Sequence, residues 1–83
     1  MIKVLFFASL KEQVSIDALD FPMAESLTVA QLIDELSQQE ASIQREILSA
    51  EDILVSVDQT VVSRDFLVNP GSEVAFFPPV TGG

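Results

Sequence analysis

The chain closes on EVAFFPPVTGG, residues 73–83, which run from an apolar strand through two prolines to a Gly-Gly terminus. Val and Phe favour a pleated, buried surface, so the pattern predicts a strand over Glu73–Phe77. Consecutive prolines lack backbone donors and favour polyproline II, so we expect the sheet to stop at Pro78. The five residues from Pro79 onward reach about 16 Å when extended and carry the α-carboxylate at their tip.

A second strongly apolar strand lies at the start of the chain, over residues 2–7. Side chains of a strand alternate between its two faces. Two apolar sets therefore point in opposite directions, Ile2, Val4 and Phe6 on one side and Leu5 and Phe7 on the other. The two most apolar strands of a sheet are expected at its centre, which predicts that the first and last strands pair in parallel.

Between these strands, Thr28-x-x-Gln31 fits a capping box and marks the clearest helix start. Apolar residues then recur at helical spacing, at Val29, Leu32, Ile33 and Leu36. The weaker patterns predict a connection with one irregular turn over 8–14, an edge strand over 15–21, a short second helix or packed loop over 41–49, strands over 53–57 and 60–63, and a turn at 69–72.

The order of these elements predicts an α+β domain with helix packed on one side of a mixed sheet. We expect the ubiquitin-like β-grasp arrangement, with about five strands, one main amphipathic helix and a short second helix. Residues 1–78 are predicted to form this domain, and residues 79–83 are predicted to form an extended tail. The 83-residue chain leaves no room for a second core.

The apolar residues exceed what one helix can cover. If the helix packs on the first set, then Leu5, Phe7, Ala75 and Phe77 lie together on the uncovered face, and Val61 could join them. A contiguous apolar patch of this kind indicates a partner surface. The alternative is that a loop at 64–69 folds over the patch.

Composition removes several classes of function. Thirteen acidic and four basic residues give a net charge of −9, which repels phosphate backbones, so no nucleic-acid partner is expected. The chain has no Cys and no His, so thiolate or imidazole metal sites and His-based catalysis are excluded. Asp34 and Glu35 are adjacent on the helix and point apart, so they do not form a paired-carboxylate site.

The apolar stretch at residues 1–10 is interrupted by Lys3 and lacks a signal-peptide cleavage pattern. No run approaches the 18 or so apolar residues of a membrane span. The expectation from the sequence is a cytoplasmic protein without a membrane partner.

Three stretches carry a resemblance to a known family: residues 1–8, residues 57–63 and, above all, residues 73–83. The run Ala-Phe-Phe-Pro-Pro-Val-x-Gly-Gly is the specific part. The chain resembles the MoaD family, the small sulfur-carrying subunits of molybdopterin synthase. The resemblance extends over the whole length, although residues 15–50 match in pattern more than in residue identity.

The resemblance implies a sulfur carrier that holds no cofactor or metal itself. An adenylating enzyme (MoeB-like) would use ATP to activate the carboxylate of Gly83, and a sulfur donor protein would convert it to a thiocarboxylate. Gly82 is assigned to the catalytic end of the tail together with Gly83. The tail would enter the large subunit (MoaE) of a heterotetramer, where the catalytic pocket is expected. Sulfur would pass to cyclic pyranopterin monophosphate and form the molybdopterin dithiolene. The positions that the resemblance assigns to partner binding are Phe7, Val61, Phe77, Pro78, Pro79, Val80 and Thr81.

One departure from the resemblance concerns Asp58, which stands in the turn expected at Asp58-Gln59 where the family usually has Asn. Three other functions stay open on the residues alone. They are a sulfur carrier for another pathway such as thiamine synthesis, a ubiquitin-like modifier joined to target lysines, and a noncatalytic binding domain.

Overall fold

The computed structural model describes residues 1–48 and 52–79. Within these ranges the elements are β1 Ile2–Phe6, α1 Ala8–Val14, β2 Ala18–Phe21, β3 Leu27–Thr28, α2 Val29–Gln39, α3 Ala41–Ile43, a π-helical segment Gln44–Leu48, β4 Leu54–Val57, β5 Thr60–Val62, β6 Leu67–Val68 and β7 Glu73–Phe77. Among the described residues, no helix combines the length and apolar character needed to cross a membrane.

Five strands form one mixed sheet in the order β2-β1-β7-β4-β5. β1 and β7 pair in parallel, with Val4 opposite Val74 and Phe6 opposite Phe76. The other three pairings, β1 with β2, β4 with β7 and β4 with β5, are antiparallel. The predicted β-grasp architecture is confirmed, including the central parallel pair and the position of β2 at an edge.

The core lies between one face of this sheet and α2. Phe6 and Phe76 are each 1% exposed, and their rings stack with centroids 5.8 Å apart. The predicted helical stripe is buried in the same core, at Val29, Leu32, Ile33 and Leu36. We call this covered face of the sheet the inner face and the opposite one the outer face. Because side chains alternate along each strand, residues adjacent to core positions point to the outer face.

Each backbone amide at the N-terminus of α2, from Thr28 to Gln31, donates to a hydrogen-bond acceptor. The predicted capping box is present, since Gln31 N donates to Thr28 Oγ1 at 3.2 Å and Thr28 N donates to Gln31 Oε1 at 2.9 Å. The amides of Val29 and Ala30 donate to the carbonyls of Phe66 and Arg64. An N-cap of this kind contributes about 1 kcal/mol to stability, and the two carbonyls tie residues 64–66 to the helix.

Several features differ from the sequence predictions. β3 and β6 form a second, two-stranded sheet that the sequence does not predict. Residues 8–14 form the seven-residue helix α1 instead of a connection with one irregular turn. The strand expected over 15–21 is shorter, since only Ala18–Phe21 pair with β1. The second helix predicted over 41–49 begins at Ala41 and continues as the π-helical segment, and residue 49 lies outside the described residues.

Candidate docking face and tail exit

The outer face of the sheet carries a stripe that crosses all five strands. Strand register aligns its members in one row: Ala18, Leu5, Ala75, Ser56 and Val61. Phe77 lies two residues beyond Ala75 on β7 and pairs with Leu54 of β4. Phe7 follows the last residue of β1, and its amide donates to the carbonyl of Phe76 at 3.1 Å. The apolar residues predicted to share this face do share it.

We call Leu5, Phe7, Leu54, Val61, Ala75 and Phe77 the apolar face. Its most exposed members are Phe7, at 48% of its surface, and Val61, at 60%. Leu5, Leu54 and Phe77 are half-buried. Ala75 is buried although no helix covers it, because its small side chain lies between Leu5 and Ser56 in the row. The larger side chains of the apolar face therefore surround the small side chain of Ala75, and the surface between them is shallow.

The alternative from the sequence is that a loop at residues 64–69 folds over the apolar face. In the structure this loop lies at the start of α2. The carbonyls of Arg64 and Phe66 accept hydrogen bonds from the first turn of α2, and Val68 pairs with Leu27 of β3. α2 packs on the inner face, so this loop lies on the other side of the molecule. The alternative of a loop folded over the apolar face is wrong.

The tail leaves the sheet beside the apolar face. β7 ends at Phe77 as predicted, with Pro78 half-buried and Pro79 exposed. Phe77 is thus both the last residue of the central strand and a member of the apolar face. The predicted roles of Val80, Thr81, Gly82 and Gly83 lie outside the described residues. The boundary between a domain at 1–78 and a tail at 79–83 stays a prediction.

The start of β7 is held by the turn between β4 and β5. Asp58 and Gln59 have φ of 50° and 73°, the left-handed pair that a two-residue type I′ hairpin requires. Asp58 N donates to the Glu73 carbonyl at 2.8 Å, and Glu73 N donates to Asp58 Oδ1 at 2.9 Å. The carboxylate of Asp58 therefore fixes the first residue of β7.

No pocket with an obvious catalytic set adjoins the tail exit among the described residues. A shallow hollow of about 300 Å³ lies between β2, the chain after it and α2, lined mainly by Phe21, Pro22, Met23, Leu27 and the side chains of Glu25 and Glu35. Within residues 1–48 and 52–79, no three or more carboxylates come together as a metal site.

Two curated relatives match over their full length. The chain is 46% identical to the molybdopterin synthase sulfur carrier subunit of Escherichia coli (strain K12), with 100% of both chains covered. It is 35% identical to the protein of the same description from Haemophilus influenzae, again with 100% of both covered. The similarity thus includes the domain and the tail together.

Solved structures share the fold at low sequence identity. SAMP1 from Haloferax volcanii matches with a TM-score of 0.82 and 22% identity, covering 99% of this chain and 98% of that one. Subunits 1 and 2 of the molybdopterin-converting factor from Helicobacter pylori form a complex; the matching chain has a TM-score of 0.66 and 12% identity, with coverage of 99% and 97%. At these identities the two structures support the fold alone.

The model of the ThiS family matches residues 4–83, which is nearly the whole chain. Together with the full-length relatives, this match agrees with the resemblance seen in the C-terminal run. The chain belongs to the ThiS family, and its curated relatives are molybdopterin synthase sulfur carrier subunits.

Proposed function

We propose that this chain is the sulfur carrier subunit of a molybdopterin synthase and that sulfur is carried on the C-terminal carbonyl of Gly83. The observation that carries the proposal is the position of the apolar face at the end of β7 from which the Pro-Pro-Val-Thr-Gly-Gly tail departs. A partner that covers this face also receives the tail. The full-length relatives support the same assignment.

The chemistry begins with a poor electrophile, because a carboxylate has no good leaving group. Attack of the Gly83 carboxylate on the α-phosphate of ATP would form an acyl-adenylate and release pyrophosphate. Sulfide-level sulfur from a donor protein would then attack the acyl carbon and expel AMP, which leaves a thiocarboxylate; if the donor is a persulfide, a thiol must reduce the acyl disulfide that forms first. The thiocarboxylate sulfur is a nucleophile that can be delivered to an acceptor. Gly82 and Gly83 lack a Cβ, so the reactive end can enter a narrow channel that excludes water.

The proposed function requires three partner proteins with separate roles. The large subunit would cover the apolar face, enclose the tail and supply the catalytic pocket in which cyclic pyranopterin monophosphate gains its dithiolene sulfurs. A complex between the corresponding two subunits is known for the Helicobacter pylori protein. A MoeB-like adenylating enzyme and the sulfur donor complete the set. Since these reactions use ATP and a biosynthetic intermediate, the proposal places the chain in the cytoplasm.

Mass spectrometry of the C-terminal fragment tests the assignment most directly. The full chain is incubated with ATP, the adenylating enzyme and a sulfur donor, and the fragment that contains Gly83 is sequenced. We expect replacement of one oxygen by sulfur at Gly83. Whole-protein mass does not suffice, because oxidation of Met1 or Met23 adds nearly the same mass.

Two controls give this experiment a clear outcome. Omission of ATP should leave Gly83 unmodified, because displacement of AMP requires the adenylate. A carrier already known to accept sulfur from the same enzymes shows that they are active. An unmodified Gly83 beside a modified control carrier contradicts the proposal.

Phe77→Ala is expected to weaken binding to the large subunit by more than about 1 kcal/mol, or about fivefold or more in Kd, because aromatic anchors dominate interfaces. Titration calorimetry with the large subunit measures this change. Phe66→Ala is the matched control: Phe66 is 44% exposed, but it lies beside the N-terminus of α2. Equal affinities of the two variants would remove Phe77 from the interface.

A further inference from the structure

The outer face has a second part at the end of the sheet remote from the tail. Strand register places Lys3 of β1 between Asp20 of β2 and Glu73 of β7. Asp58 adjoins Glu73, because the two residues exchange the hydrogen bonds described above. We call Asp20, Lys3, Glu73 and Asp58 the charged row. Three of its members are exposed and Glu73 is half-buried.

The charged row and the apolar face form one continuous surface. Lys3 lies two residues before Leu5 on β1, which is about 7 Å along the strand, and four residues before Phe7, which is about 13 Å. No described element covers the row, since the helices pack on the inner face and residues 64–68 lie at the start of α2. A protein that docks on the apolar face therefore extends over the row or ends beside it.

The small size of the apolar face favours a partner that extends over the charged row. Phe7 and Val61, the most exposed members of the apolar face, together expose on the order of 200 Å², given side-chain areas of about 150–250 Å² for an aromatic residue. The half-buried Leu5, Leu54 and Phe77 each add a smaller area. A standard interface buries about 800 Å² on each partner. The remaining area has to come from the tail and from the rest of the outer face, and the charged row is the adjoining part of that face.

The charges of the row determine what can cover it. Three carboxylates and one ammonium give it a charge of −2 (−3 + 1), within a chain of net charge −9. A carboxylate-rich partner would be repelled, and an apolar one would leave these charges desolvated without compensation. A second copy of this chain is disfavoured for the same reason. Basic side chains satisfy the row, and they also increase the rate of encounter with an acidic protein.

We propose that the charged row is the outer part of the docking face and that the large subunit presents basic side chains to it, about 13 Å from the site that receives Phe7. This inference rests on the proposed function, because it specifies the partner surface for the same docking face. The apolar face and the tail then determine how long the complex lasts, and the charged row determines how quickly the correct partner is found.

Charge reversal at Asp20 tests the row. Asp20 is exposed on an edge strand, so Asp20→Lys removes no core contact and changes the net charge from −9 to −7. Glu35→Lys makes the same change on α2, which lies on the opposite side of the sheet. Association of each full-length variant with the large subunit is followed by stopped-flow at several salt concentrations. We expect Asp20→Lys to slow association about tenfold at low salt and to flatten its salt dependence, whereas Glu35→Lys changes the rate less than about twofold.

A second variant separates charge from structure. Asp58→Asn keeps a side-chain oxygen that can accept from Glu73 N and keeps a residue that tolerates positive φ, yet it removes one negative charge. We expect an unchanged melting temperature and an association rate about two- to threefold lower at low salt. Equal rates for Asp20→Lys, Asp58→Asn and Glu35→Lys would overturn the inference while leaving the proposed function intact. Failure of the unmodified chain to bind the large subunit would overturn both.

Discussion

A chain that lacks Gly83 is expected to fold normally and to lose sulfur transfer by at least about 100-fold. Deletion moves the terminal carboxylate back by one residue, or about 3.5 Å, and a misplacement of even 1 Å can cost about 100-fold in rate. The described core ends at Phe76, so we expect the free energy of unfolding to change by less than about 0.5 kcal/mol. The assay is sulfur transfer by the reconstituted synthase, with urea denaturation in parallel.

A chain with a third glycine added after Gly83 tests whether transfer depends on the position of the terminal carboxylate or only on the presence of a terminal glycine. This variant still ends in glycine and keeps the same charge, but its carboxylate lies one residue too far out. If the depth of the partner channel is fixed, the lengthened chain fails like the shortened one. Full transfer by the chain that lacks Gly83 would contradict the role of the tail. A large loss of stability on deletion would show that the tail belongs to the core.

Phe76→Ala is expected to destabilise the domain by about 3–5 kcal/mol, the range for removal of a fully buried aromatic side chain. Phe76 is 1% exposed, stacks on Phe6 and lies between β1 and β4 in the central strand. A domain of this length has a total stability of about 4–12 kcal/mol, so much of the variant should be unfolded near 37 °C. Urea denaturation followed by circular dichroism measures the loss.

The adjacent residue supplies the control for this measurement. Phe77 points to the outer face and is only half-buried, so Phe77→Ala removes an aromatic ring of the same size from the other side of β7. We expect it to cost less than about 1.5 kcal/mol of stability, with the main effect on partner binding. A loss below about 1 kcal/mol for Phe76→Ala would show that the inner face is not the core.

The two neighbouring phenylalanines also explain why the outer face can be predicted from the sequence. Alternation along β1 and β7 assigns every residue to a face once one member of the strand is known to be buried. β1 and β7 both have apolar residues on both of their faces. The order of these residues alone therefore shows that apolar side chains remain on the outer face, which the helix does not cover. Whether Phe7, Val61, Phe77 and the tail residues bind a partner stays a prediction.

Other parts of the fold depend on contacts that are distant in the sequence. β3 and β6 have two residues each, too short for any alternation, and they pair beside the hydrogen bonds that attach residues 64–66 to the start of α2. The bond between Asp58 Oδ1 and Glu73 N joins residues 15 positions apart, so the residue types around the turn do not reveal it. α1 begins after Phe7, which provides no side-chain cap, and thus has no start signal.

The parallel pairing of β1 and β7 has a mechanical consequence. Met1 lies at the beginning of β1 and the tail departs from the end of β7, so tension applied between Met1 and Pro79 pulls the two strands past each other. The bonds of the ladder, from the Lys3 amide with Ser72 to the Phe7 amide with Phe76, are then loaded together instead of one after another. We expect the domain to resist tension along this direction more strongly than tension that separates its strands one hydrogen bond at a time.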